Sequence, residues 1–239
     1  MLVVGGVLVA CSALLAGTAG FGFSLVSAPF LLLSGFSLPF VVTANLLITL
    51  VTRAAVAWRL RDAIHRRRVA LLVIGAVPGL WLGSRTLGAL DGRAVHLVAG
   101  TIVTVAAAAL AVAERRPRQP RVRGLNLAAG FLGGVLGTAT SLTGVPPALL
   151  LTRRRLPQES FFADLAVFFV VTAALGLGIL AADGHVSRSG VLSAVWWLPG
   201  VLIANVIGTT FGLRLPARTL RAVTLTLAFV AGIITIATA

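Results

Sequence analysis

The sequence predicts an all-α polytopic membrane protein built from two inverted repeats, with about 8–10 transmembrane segments. Three observations lead to this prediction. Of the 239 residues, 58% are hydrophobic and only 11% are charged, which is far from the composition of a soluble domain. Long apolar runs fill almost the whole chain, and the mean hydropathy is +1.04. The order of Gly and Pro signals in the first half of the chain also returns in the second half.

The net charge of +14 comes from 20 Arg residues against six acidic residues. In a soluble protein this charge would suggest a nucleic-acid partner. Here almost every Arg lies between apolar runs, as the positive-inside rule predicts for cytoplasmic loops. The composition therefore excludes a soluble enzyme, a nucleic-acid-binding module and a disordered chain, and the expected surroundings are a lipid bilayer.

Four apolar runs, a basic linker and four more apolar runs follow one another along the chain. The runs are 2–33, 38–58, 69–83, 95–113, 125–152, 161–182, 191–211 and 220–239. We therefore expect a first membrane repeat over 1–113, a basic cytoplasmic linker over 114–124 and a second membrane repeat over 125–239.

The two halves share three markers in the same order. The markers are Gly-Thr-Ala at 17–19 and 137–139, a Pro-containing apolar segment at 27–33 and 144–152, and Pro-Gly at 78–79 and 199–200. Three matches in one order indicate an internal repeat, which is the usual ground plan of secondary transporters.

The positions of the Arg residues predict how the runs cross the membrane. If every run crosses once, 11 loop Arg lie on one side and eight on the other. If the first and fifth runs enter and return, the division becomes 16 against three, which is a strong bias. A single helix over 2–33 would also be roughly 48 Å long, against a hydrocarbon core of roughly 30 Å. We therefore predict ten helical segments, with both termini outside and the basic loops in the cytoplasm. Re-entrant hairpins and pairs of full spans both fit this count.

Each broken run contains a signature of a helix start. Ser27 precedes Ala28-Pro29 in the first half, and Thr143 precedes Gly144-Val145-Pro146-Pro147 in the second. A helix that starts at membrane depth presents unpaired N–H groups and the positive end of its dipole, which an anion would satisfy. The nearby glycines would let the backbone approach a ligand, or would simply let helices pack tightly. The candidate substrate-binding residues here are Gly17, Thr18, Gly20, Gly22, Ser24, Ser27, Gly137, Thr138, Ser141, Thr143 and Gly144.

Further polar residues lie inside the other runs. Asn45, Thr49 and Thr52 follow one face of a helix, and Asn205 lies in the middle of the seventh run. We include Asn45, Thr49 and Asn205 as candidates that line the substrate path, although residues of this kind more often bridge helices.

Two charged residues also fall within predicted spans. Asp164 is a candidate for carrying a coupling proton or for pairing with an Arg, and an interfacial position near Glu159 is the alternative. Arg53 is expected to extend to the cytoplasmic face, since long cationic side chains reach the interface from helix ends. Cys11 and the three His residues show no metal-ligand spacing, and no nucleophile–base set is visible. We therefore expect no catalytic residue, no metal and no cofactor.

The two broken segments and the Pro-Gly regions resemble the TauE/SafE family of membrane permeases, also called the sulfite exporter family. The segments are GTAGFGFSLVSAPFLLL at 17–33 and GTATSLTGVPPALLL at 137–151, together with the regions around Pro78 and Pro199. The resemblance covers nearly the whole chain from Gly6. It implies a permease of the bacterial inner membrane that exports sulfite, an organosulfonate or a related small anion.

Other functions stay open at this stage. One alternative is a transporter for a metal cation or a neutral metabolite. Another is a membrane scaffold that transports nothing. A cation site would need several intramembrane carboxylates, and only Asp164 lies within a predicted span. Assembly as a homodimer also stays open.

Overall fold

The computed structural model describes residues 2–87, 92–115, 124–140, 143–154 and 156–212, with isolated positions after them. The helices are α1 (Leu2–Ala19), α2 (Phe23–Leu33), α3 (Leu38–Arg59), α4 (Arg66–Leu87), α5 (Gly92–Arg115), α6 (Gly124–Thr140), α7 (Val145–Arg153), α8 (Gln158–Ala182) and α9 (Arg188–Gly212). A 3-10 turn at Arg61–Ala63 joins α3 to α4. No strand occurs among the described residues, which confirms the all-α prediction. The tenth predicted segment lies mostly outside the described residues.

Four of the described helices, α3, α4, α8 and α9, are long and apolar enough to cross a membrane. Together with the other apolar helices they make the chain a multi-pass membrane protein. Helices α2 and α7 differ, because they contain only 11 and 9 residues. At 1.5 Å per residue they are roughly 16 Å and 14 Å long, about half the thickness of a hydrocarbon core. Neither of these short helices can cross the membrane alone.

The first break consists of Gly20, Phe21 and Gly22, between α1 and α2. Both glycines adopt left-handed backbone conformations, with φ of 79° and 94°, and residues with side chains rarely adopt them. Helix α2 therefore begins at Phe23, and Pro29 lies inside it. The prediction that Ser27 and Pro29 mark the helix start was wrong, because the two glycines already break the chain one turn earlier.

The second break lies between α6, which ends at Thr140, and α7, which begins at Val145. Pro146 and Pro147 occupy the first turn of α7. Their fixed φ suits a helix start, and the N–H that Pro lacks has no partner there in any helix. The predicted helix start after Thr143 is confirmed.

Helices from the two halves of the chain interleave. The closest packing is between α4 and α6 and between α1 and α9, while α3 and α8 pack together at the centre. Two buried apolar clusters follow this arrangement, one mainly around α1, α2 and α3 and the other mainly around α7 and α8.

Glycines allow the interleaved helices to approach closely. A Cβ atom added at Gly134 of α6 would overlap the carbonyl oxygen of Ala76 in α4. A Cβ atom added at Gly17 of α1 would lie 2.8 Å from the carbonyl oxygen of Asn205 in α9. On this side Gly17 contacts a neighbouring helix, as small residues do in membrane bundles.

Hydrogen bonds join the halves at both ends of the bundle. Near the start of α8, the Asp164 carboxylate accepts a hydrogen bond of 2.8 Å from the His65 N–H, in the loop after α3. At the other end, the Asp183 carboxylate accepts a hydrogen bond of 2.7 Å from the Ser84 hydroxyl of α4. The Arg-rich loops 59–68 and 153–160 therefore lie at the same end, which we call the basic end.

Candidate functional site

A cavity of about 490 Å³, including the space at its mouth, lies in the middle of the bundle. We call it the central cavity. The N-terminal ends of α2 and α7 meet there, between the middle parts of α3 and α8. Its lining residues are Phe21, Gly22, Phe23, Ser24, Leu25, Leu46, Thr49, Arg53, Thr143, Gly144, Val145, Phe169, Thr172 and Ala173.

The two helix ends offer backbone N–H groups to this cavity. No side chain caps α2 at Gly22, and the N–H groups in the first turn of a helix have no acceptor within the helix. Phe23, Ser24 and Leu25 therefore provide three donors. In α7 the Pro residues at 146 and 147 lack an N–H, so Val145 is its only first-turn donor at the cavity.

Arg53 supplies the charge of the central cavity. Its side chain projects from α3 and is only 3% exposed. The guanidinium donates a weak hydrogen bond of 3.4 Å to the Ala16 carbonyl and lies 5.8 Å from the centre of the Phe169 ring. Among the described residues that line the cavity, none is acidic, and no described carboxylate pairs with Arg53.

The position of Arg53 differs from the sequence expectation. The side chain is buried between α1, α3 and α8 rather than extended to the cytoplasmic face. A signal for this position was present, because Asn45, Thr49 and Arg53 follow one another at intervals of four residues and so share a helix face. The predicted face contained Thr52 in place of Arg53.

The structure brings some of the predicted site residues together and separates others. Those that line the central cavity are Gly22, Ser24, Thr49, Thr143 and Gly144. Those that line a second cavity, nearer the basic end, are Gly17, Thr18, Gly20 and Asn205. Those that line neither are Ser27, Asn45, Gly137, Thr138 and Asp164. Ser141 lies outside the described residues.

Several residues of the last group bridge helices. The Ser27 hydroxyl of α2 donates a buried hydrogen bond of 3.1 Å to the Asn45 side-chain oxygen of α3. The Thr138 hydroxyl of α6 donates a bond of 2.8 Å to the Leu80 carbonyl of α4. These contacts hold the short helix α2 and the α4–α6 pair in place around the cavity.

Asp164 takes part in a buried ion pair at the basic end. Its carboxylate lies 2.7 Å from Arg68 Nε, and its side chain is fully buried. Burial, and to a smaller extent the positive charge of Arg68, lowers the pKa of the Arg154 guanidinium. Of the two roles predicted from the sequence, the contacts show the pairing with an Arg.

Replacing Asp164 by Ala is expected to lower the free energy of unfolding by about 3 kcal/mol, because the charge of Arg68, whose side chain is only 10% exposed, would lose its partner. The double variant Asp164→Leu/Arg68→Met is expected to be more stable than the single variant. Thermal unfolding of the detergent-solubilised protein measures both. Asp62→Ala is the matched control, because the Asp62 side chain is 98% exposed. A single variant as stable as the wild type would contradict the importance of this pair.

Proton coupling through Asp164 stays a prediction, and the variant Asp164→Asn tests it. If Asp164 carries the coupling proton, Asp164→Asn abolishes pH-driven transport and leaves exchange intact. Unchanged pH dependence in a folded Asp164→Asn protein would remove that role.

Broken helices that meet at a buried cationic cavity, inside a multi-pass apolar bundle, are typical of membrane transporters. The chain matches the family described as sulfite exporter TauE/SafE over residues 4–235 and belongs to it. Comparisons with curated proteins and with solved structures found no match.

Proposed function

We propose that this protein is a secondary permease of the bacterial inner membrane that exports a small sulfur-containing oxyanion, such as sulfite or an organosulfonate. The family name supports the substrate class. The central cavity supports an anion in particular, because its lining residues include Arg53, the uncapped first turn of α2 and three residues that carry hydroxyls, Ser24, Thr49 and Thr143.

The observation that carries this proposal is that Arg53 is buried and has no carboxylate partner among the residues that the structure describes. Removing a charge from water is costly, and a binding partner of opposite charge offsets that cost. A bound oxyanion would accept hydrogen bonds from the guanidinium and from the first turn of α2 at the same time. A metal cation would be repelled by the same group.

The proposed mechanism is alternating access between two inverted halves. The packing of the described helices supports this mechanism. If α1 corresponds to α6 and α4 corresponds to α9 in the two repeats, the close pair α1–α9 corresponds to the close pair α6–α4. The basic end would face the cytoplasm. The first residues of α1 would then lie outside, because Gly5 contacts Trp197 in the first half of α9, away from the basic end.

Flux measurements in proteoliposomes test the proposal. Vesicles loaded with sulfite, isethionate, sulfate or chloride are compared with protein-free vesicles, with and without a pH gradient. Isethionate is the most informative substrate, because it is permanently charged and does not cross lipid unaided. We expect saturable flux of sulfite or isethionate and much less flux of chloride. Absence of flux for every anion, with folded protein, would contradict the proposal.

A further inference from the structure

The second cavity has a volume of about 680 Å³, including the open space at its mouth, and lies between the central cavity and the basic end. We call it the basic-end cavity. It is formed by the C-terminal parts of α1, α3 and α9 and the N-terminal part of α8. Its lining residues are Gly17, Thr18, Gly20, Arg53, Ala55, Val56, Arg59, Leu60, Glu159, Phe162, Asn205, Val206 and Thr209.

The charges of the basic-end cavity favour an anion. Arg53 is buried at its inner end, whereas Arg59 and Glu159 are exposed and lie nearer the basic end. Two cations and one acid leave a net positive charge along the lining. A small anion that approaches from the basic end would therefore be attracted inward.

The first helix break and Arg53 separate the two cavities. Arg53 lines both of them. Within the break, Gly20 lines the basic-end cavity, whereas Phe21 and Gly22 line the central cavity. A change in the backbone of these three residues, which both left-handed glycines permit, would therefore act on the boundary between the two cavities.

Three aromatic rings extend along this boundary. The Phe162 ring lies directly against Gly20, where an added Cβ would overlap it. Phe161 packs edge to face on Phe162 at 5.7 Å and on Phe21 at 6.2 Å between ring centres. The boundary between the two cavities is thus a layer of apolar rings beside the Arg53 guanidinium. An anion in either cavity would be attracted by the guanidinium, and the apolar rings would keep it from passing to the other cavity.

We propose that the basic-end cavity is an outer binding subsite and access route for the same small oxyanion. An anion passes from Arg59 to Arg53, and the break at 20–22 with its aromatic layer closes the way to the central cavity. This inference rests on the function proposed above, since it concerns the route to the central cavity.

Ala55 and Ala54 provide a matched test, because both are exposed neighbours on α3 and only Ala55 lines the cavity. Ala55→Trp is expected to lower isethionate flux at least about tenfold, since flux depends on the width of the route. Ala54→Trp is expected to retain wild-type flux. Size-exclusion elution and thermal unfolding establish that both variants are folded.

A chemical block covers the case in which Ala55→Trp fails to fold. Ala55→Cys and Ala54→Cys are made in a Cys11→Ser background and labelled after reconstitution with a thiol reagent that carries a sulfonate. Labelling is expected to stop flux in Ala55→Cys alone. Equal flux in labelled Ala55→Cys and labelled Ala54→Cys would overturn the inference.

Arg59 gives an independent readout. Arg59→Gln is expected to raise KM for isethionate about two- to threefold from the basic end at low ionic strength, and less at high salt, because exposed charges are screened. Arg61→Gln is the control, since Arg61 lies in the adjacent turn and does not line the cavity. An unchanged KM in Arg59→Gln would remove Arg59 from the route.

The two proposals fail differently. If the wild type transports no anion, the proposed function fails. If the wild type transports isethionate and blocking residue 55 changes nothing, only the basic-end route fails, and a lipid-filled cleft becomes the explanation of the cavity.

Discussion

Replacing Arg53 by Gln is expected to lower the apparent affinity for the transported anion about 100-fold, which corresponds to about 3 kcal/mol. The reason is that the variant removes the only charge that lines the central cavity among the described residues. Without anion, the variant is expected to be at least as stable as the wild type, because an unpaired buried charge is lost. Flux in proteoliposomes and thermal unfolding with and without isethionate measure the two effects.

Arg53→Lys separates charge from geometry. Lys keeps the positive charge but lacks the planar fork that binds an oxyanion through two parallel hydrogen bonds, so partial activity is expected. Arg61→Gln is the matched control, because the Arg61 side chain is 63% exposed. Wild-type flux and wild-type stabilisation by isethionate in folded Arg53→Gln would refute the anion site.

Replacing Gly134 by Val is expected to prevent the protein from folding. The added side chain would overlap the Ala76 carbonyl oxygen in α4, a backbone atom that no rotamer change can move. Overpacking in a protein core typically costs about 1–3 kcal/mol, and separating two helix backbones adds to this cost. The yield of monodisperse protein after detergent extraction and size exclusion measures the effect.

Gly200 offers the control for Gly134. It lies within α9, and a Cβ atom added there meets nothing within 4 Å. Gly200→Val therefore tests the intrinsic effect of replacing Gly by Val in a helix, which is within about 1 kcal/mol. Equal yields from Gly134→Val and Gly200→Val would show that the close α4–α6 contact is unimportant for folding.

The helical class and the two breaks were predictable because their signals are local. Gly and Pro act on the backbone at their own positions, so the sequence predicts a break within the first run, 2–33, and a helix start after Thr143. The exact start of α2 was missed, since Pro29 mimics a helix start and the sequence does not show that Gly20 and Gly22 both adopt positive φ.

The surroundings of charged side chains were less predictable. The burial of Arg53 depends on α1 and α8 as well as its own helix, and the partner of Asp164 is 96 residues away at Arg68. Such contacts are set by how helices from both halves interleave. Periodicity within one segment does not contain that information, although the spacing of Asn45, Thr49 and Arg53 placed all three on one face.

The interleaved packing also affects how the protein matures during synthesis. About 170 residues separate the end of α1 from the start of α9, its closest partner. At roughly 5–20 residues per second, α1 waits about 10–30 s in the membrane before that partner is made. During this interval the glycine-lined face of α1 lacks its final partner and is covered by lipid, other proteins or earlier helices of the same chain. A ribosome that stalls within the second half would therefore leave an intermediate whose first helix is inserted but not yet packed against α9.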